Sequence, residues 1–171
     1  MDLTEIKIKG IKDSYECIIK EIQNNNPLAV YSAFYNYLYN FFSLKESKGE
    51  KYTIKVKTQN NKYINLKKDC VFGALKYLYE IFKHMEENKS NLLLKLNLFV
   101  YVKKFPYSYP YNYGRAFVRF EELQDEIINL MKNKEHKVRF KELYAKYLQG
   151  KLLEEIVNEI NDEVLKEINN G

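Results

Sequence analysis

The chain has 171 residues, 46% of them hydrophobic and 30% charged, with a formal net charge of +5. Such a composition belongs to a globular domain with its own core and excludes a disordered chain. Six glycines and three prolines are too few for a many-stranded β-sandwich or barrel. The expected fold class is therefore all-α or mostly α, a single helical domain over 1–171 built as a bundle of about six to seven helices.

Charge is unevenly spread. Lys45 to Lys68 holds eight lysines against two glutamates, and Leu148 to Gly171 holds two lysines against six acids. A basic middle and an acidic tail point to one face for an anion and another for a basic partner, ordinary solvated helix faces being the alternative. Cys17 and Cys70 lie far apart and fit no CxxC spacing, so buried thiols in a reducing compartment are expected rather than a disulfide. The opening MDLTEIKIKG has no hydrophobic run of signal-peptide length, and no window approaches the ~18 apolar residues of a membrane span. A soluble cytoplasmic protein with no membrane partner is expected.

Asp13 can cap a helix from about Ser14 to Gln23, with Tyr15, Ile18, Ile19 and Ile22 on one face. Asn26-Pro27 restarts the chain with a cap residue and a proline at the first helical position. The next helix, Leu28 to Leu44, carries Val30, Tyr31, Phe34, Tyr35, Leu38, Phe41 and Phe42 around so much of its girth that it reads as core. Between Lys45 and Lys68 the rhythm changes. Tyr52, Ile54 and Val56 alternate with Thr53, Lys55 and Lys57, and after an Asn-rich turn Tyr63, Ile64 and Leu66 resume an apolar run. The spacing predicts a small β-hairpin near residues 52–67 with the first strand's lysines on one face; a flexible basic loop inserted at 45–68 is the alternative.

Asp69 can cap a third helix, about Cys70 to Glu87, with Phe72, Leu75, Leu78, Tyr79, Phe82 and Met85 as its stripe. Lys76 and Lys83, seven residues apart, share another of its faces. Ser90 can cap a fourth, Asn91 to about Lys104, dense enough in leucine and valine to be the most buried helix. Two prolines and Tyr107, Tyr109, Tyr111 and Tyr113 follow, beside Lys103, Lys104, Arg115 and Arg119. Those rings either stack on bases with cation support or pack back on the core. A fifth helix is expected from Phe117 to Met131, with Phe120, Leu123, Ile127, Leu130 and Met131 inward. A sixth runs from about Val138 to Leu148, stopped at Gly150. A seventh carries Leu152, Leu153, Ile156, Val157, Ile160, Val164 and Leu165 near heptad spacing, under an acidic outer face. It should dock on its own domain or on a partner helix.

No catalytic constellation stands out. His84 and His136 are the only histidines, neither has a motif neighbour, and both read as surface residues. Metal-ligand spacings, glycine-rich phosphate loops and nucleophile elbows are missing from the sequence. The expectation is a protein that is not an enzyme, with no catalytic residues, metal or cofactor.

From Asp69 onward the order of features resembles the small helical subunit of the type III-A (Csm) CRISPR interference complex. The likeness rests on Leu75-Lys76-Tyr77-Leu78-Tyr79, on Leu94-Lys95-Leu96-Asn97-Leu98-Phe99-Val100-Tyr101 ending in Tyr113-Gly114-Arg115, and on Phe140-Lys141-Glu142-Leu143-Tyr144-Ala145-Lys146-Tyr147-Leu148. It covers roughly half of the chain. Val102 to Asn112 looks inserted before the Gly-Arg step, and residues 1–68 are longer than the resemblance accounts for. The resemblance implies a noncatalytic architectural subunit for antiviral defense, stacked in several copies beside other CRISPR effector subunits. It would hold the backbone of target RNA and guide duplex without reading sequence. Carried across by position, Lys76, Lys83, Lys95 and Arg115 are the implied RNA-binding residues, and the local charge pattern adds Lys103, Lys104 and Arg119. A helical protein–protein interaction module that never touches nucleic acid is the alternative.

Overall fold

A computed structural model of the chain describes residues 2–87, 99–103 and 116–169. Helix α1 (Leu3–Gln23) and helix α2 (Pro27–Ser47) lead into a hairpin of β1 (Thr53–Lys57) and β2 (Tyr63–Lys67). Helix α3 (Val71–Glu87), a second hairpin of β3 (Phe99–Lys103) and β4 (Ala116–Phe120), then α4 (Asp125–Asn129), α5 (Lys134–Tyr147) and α6 (Leu153–Asn169) complete the described elements. The fold is mostly helical, and the hairpin near 52–67 is present.

Helix α1 begins well before the expected start. Asp2 and Glu5 close a capping box: Asp2 Oδ1 accepts the Glu5 N–H at 2.8 Å, and Glu5 accepts the Asp2 N–H at 3.0 Å. Asp13 therefore sits inside a helix rather than at its cap. Asn26 and Pro27 do start α2, the Asn26 side chain accepting the Ala29 N–H at 3.4 Å. Helix α2 is the centre of the core. Phe34, Tyr37, Leu38, Phe41 and Phe42 are fully buried, and α1 and α3 pack against it. Its rings meet Phe82, Phe120, Tyr52 and Tyr79 at centroid separations of 5.5 to 6.4 Å. Each such pair adds about 0.5–1.5 kcal/mol beyond area burial.

The first hairpin is antiparallel, with Ile54 opposite Leu66 and Val56 opposite Ile64. Its tip closes through the Thr58 N–H donating to the Lys62 carbonyl at 2.8 Å, with Asn61 at φ 57°, a left-handed conformation that asparagine tolerates. Ile54, Val56, Ile64 and Leu66 line a groove shared with Val138 of α5. Where the chain turns from β2 into α3, Gly73 is obligatory. A Cβ there would lie 2.0 Å from the Lys68 carbonyl oxygen.

Two expected helices are corrected. Residues 99–103 of the Asn91–Lys104 segment form strand β3, while 91–98 lie outside the described residues. Ala116–Phe120 form β4, paired with β3 from Phe99 opposite Phe120 to Lys103 opposite Ala116, and only Asp125–Asn129 of the Phe117–Met131 segment is helical. Continuous apolar runs carry no period, and Phe-Val-Tyr-Val and Phe-Val-Arg-Phe have the β-branched and aromatic content that strands favour. Strand β4 is further tied to the segment before α6, its Phe120 N–H donating to the Lys151 carbonyl at 3.0 Å.

Helix α6 docks on its own chain through Leu153, Ile156, Val157, Ile160 and Val164, and the Tyr37 hydroxyl lies 2.9 Å from the Val157 carbonyl oxygen. Leu165 and Leu130, expected inside, are instead exposed. Both cysteines are free, and Cys17 lies at the surface rather than buried, with Cys70 half-buried.

Candidate nucleic-acid interface

Of the seven cations expected to form an RNA track, the structure describes the side chains of three. Lys76 is only 6% exposed, its ammonium paired with Glu46 and lying 4.8 Å and 4.9 Å from the Phe42 and Tyr79 ring centres. Its stem covers those rings while Glu46 takes the charge, so it faces α2 and leaves nothing for a phosphate. Arg119, on β4, is paired with Glu121 at 3.0 Å. Lys83 is exposed on α3. Lys103 belongs to β3. Lys95, Lys104 and Arg115, with Tyr107, Tyr109, Tyr111 and Tyr113, lie outside the described residues. Lys76 and Lys83, one heptad apart, therefore do not share a cationic surface.

Another set of cations does gather. On the outer face of the β1–β2 hairpin, Lys55 stands 4.8 Å from the ring centre of Tyr63, which is 62% exposed. Lys57 is paired with Tyr63 directly across the ladder, Lys62 is exposed next to Tyr63 in the chain, and Lys51 is exposed ahead of β1 at the base of the hairpin. Among the described residues none of these four lysines is within salt-bridge distance of a carboxylate. Strand parity explains the arrangement. Ile54 and Val56 turn to the groove beside α5, so Lys55 points the other way, while Lys57, at the end of β1, also borders the groove. That alternation was legible in the sequence, but helical spacing drew the site selection to α3 and the residues beyond it.

The hairpin is held at its base. Lys67, at the end of β2, pairs with Glu80 of α3 at 2.5 Å, and its carbonyl oxygen accepts a hydrogen bond from Arg139 Nε of α5 at 3.3 Å. Tyr77 lies below it, with the Lys67 ammonium 5.6 Å from its ring centre. Asp69, expected to cap α3, turns its carboxylate to Lys146 at 3.0 Å and to the Tyr147 hydroxyl at 2.9 Å, which holds that carboxyl below its ordinary value.

His136 is not a surface histidine. Its Nδ1 lies 2.8 Å from the Tyr77 hydroxyl, and burial, reinforced by the Lys67 charge, lowers its pKa. Burial pushes the Tyr77 phenol up to about 12. Among the described residues no cluster of three His, Cys, Asp or Glu side chains could hold a metal ion, and no helix is long and apolar enough to cross a membrane. Comparison of the chain with protein-family models, curated proteins and solved structures finds no match.

Proposed function

We propose that this chain is a noncatalytic, cytoplasmic RNA-binding protein whose contact surface is the outer face of the β1–β2 hairpin. Its role would be that of an architectural subunit in a CRISPR ribonucleoprotein effector, with target strand, guide RNA, other effector subunits and further copies of itself as partners. The observation that carries the RNA reading is the exposed Tyr63 ring flanked by Lys55 and Lys57. A flat aromatic face beside unpaired ammonium groups suits a stacked base and its phosphates, and it does so without reading sequence. Same-face lysines on a strand stand about 7 Å apart, which lets them meet successive phosphates. The effector assignment draws on the helical segments at Leu75–Tyr79 and Phe140–Leu148, while β3 stands where the resemblance expects a helix to end.

A second reading, a protein-interaction module without nucleic acid, is favoured by α6. Exposed Leu165 and Ile168 accompany its acidic residues there. Fluorescence anisotropy with a labelled single-stranded RNA separates the two. Affinity should fall steeply with salt, and removing each of Lys55, Lys57 and Lys62 should flatten the log–log slope by about 0.7. Tyr63→Ala should weaken binding by about 1–3 kcal/mol at an unchanged slope. RNA affinity that ignores all four substitutions would overturn the assignment and leave the interaction module.

A further inference from the structure

We propose that the cavity between α3 and α5 is a pocket for a single nucleobase, delivered by the strand that crosses the hairpin. This deepens the RNA reading and rests on it. The cavity holds about 420 Å³, at the small end of the ~300–1,000 Å³ range of ligand pockets and large enough for one base with part of its sugar.

The hairpin leads to it. Tyr63, Asn65 and Lys67 alternate on one face of β2, and Lys67 reaches Glu80 and the Tyr77 ring, both of which line the cavity. Four residues of strand put the Lys67 backbone about 13 Å from that of Tyr63. A strand stacked on Tyr63 and led along Lys55 and Lys57 therefore arrives at this opening.

Its lining has the chemistry of a base edge rather than of an anion. Ile81, Leu130 and Met131 supply apolar walls, and Leu130 stands at the rim 37% exposed. The polar groups are mixed. The Lys67 backbone N–H donates to the Tyr77 hydroxyl at 3.5 Å, which directs the hydroxyl proton to His136 Nδ1 and leaves the imidazole proton on Nε2. Glu80, ion-paired with Lys67 through one oxygen, adds a carboxylate acceptor to the lining. An N–H donor and a carboxylate acceptor on the lining of one cavity match the mixed polarity of the Watson–Crick or Hoogsteen edge of a base, the part that single-strand readers contact. Lys132 at the lining offers an ammonium to the attached phosphate.

The two histidines of the chain both line the cavity, so their imidazole C2–H resonances are two built-in reporters. Proton NMR of the full chain is recorded with AMP, GMP, CMP, UMP and a single-stranded RNA. At least one nucleotide, and the RNA, should shift both resonances with saturating curves. Leu130→Trp, at an exposed rim position where the fold tolerates bulk, should fill the slot. It should weaken nucleotide binding at least tenfold and lower RNA affinity with it, while leaving the salt slope of RNA binding, which the hairpin lysines set, unchanged. RNA bound through the hairpin with neither resonance moving, for RNA or for nucleotides, overturns the pocket and leaves the RNA reading standing. Nucleotide shifts without any RNA binding overturn its place on a strand path and identify free nucleotide as the ligand.

Discussion

Lys45 is the sharpest test of how this chain handles its cations. Its side chain has no exposed surface, and its ammonium lies 3.0 Å from Glu163 of α6 and 3.3 Å from Glu50 in the loop before β1. A hydrogen bond to a charged group contributes about 1.5–3 kcal/mol, so Glu163→Ala should cost that much, alanine being harmless to the helix itself. Removing Glu50 as well takes the second carboxylate from a buried ammonium, and the double substitution should cost about 3–5 kcal/mol. Lys45→Met keeps the unbranched stem and discards the charge, while both carboxylates are exposed enough to turn to water. That variant should stay within about 1 kcal/mol of the parent. Urea unfolding followed by circular dichroism at pH 7, with unchanged m-values, measures all three.

The acid limb gives a second readout. Hydrogen bonding to Lys45 holds the Glu163 carboxyl below its ordinary value. A group that gives up its proton more readily when folded contributes stability above its unfolded pKa and loses it as pH falls through the lowered one. The gap between parent and Glu163→Ala should therefore close as pH drops below about 4. A Glu163→Ala cost under about 0.5 kcal/mol at pH 7, with Lys45→Met the more damaging change, would refute the reasoning. It would mean that the stem matters and the ammonium reaches water.

Lys76→Ala should cost about 2 kcal/mol in urea unfolding, through lost cover on Phe42 and Tyr79, and leave RNA affinity and its salt slope untouched. Gly73→Ala should destabilise by about 3 kcal/mol because its Cβ meets backbone at Lys68. Gly10→Ala meets only the Asn40 carboxamide, so the ~1 kcal/mol helix gain should offset the lost Asn40–Asn36 hydrogen bond and leave the melting temperature nearly unchanged. His136 should titrate below the ordinary histidine value by NMR. Since its folded pKa is the lower one, its contribution to stability should be full above about pH 6.5 and fall away as acid protonates the unfolded chain.

The helical skeleton was legible wherever an apolar stripe had a clear period. Asn26-Pro27 marked the start of α2, and the extent of α3 agrees with its stripe to within a residue. The Asp2…Glu5 capping box was also present in the sequence, but the weak pattern of Ile6 and Ile8 masked the first half of α1. The second hairpin was not legible. Phe99–Lys103 and Ala116–Phe120 become strands because they pair with each other across a wide separation, which no local window senses. His136 was misread for the same reason. Its partner Tyr77 sits on another helix and Lys67 on a strand.

The candidate site shows why lysines on strands were easier to place than lysines on helices. Lys76 and Lys83 occupy the same heptad position on α3, yet one is buried under aromatic rings and the other is exposed. A helical lysine at the edge of an apolar stripe can swing its long stem inward wherever a ring and a carboxylate await it, as Phe42 and Glu46 do. A strand allows less choice: once Ile54 and Val56 face the groove, Lys55 is committed to the opposite side. A two-stranded ribbon is nonetheless marginal in water and needs an anchor. Here the anchor is Lys67, through Glu80 on α3 and Arg139 on α5. The residue that stiffens the proposed RNA-contacting face thus also holds Glu80 and covers the Tyr77 ring, two members of the cavity wall, which couples the order of the ribbon to the shape of the proposed pocket.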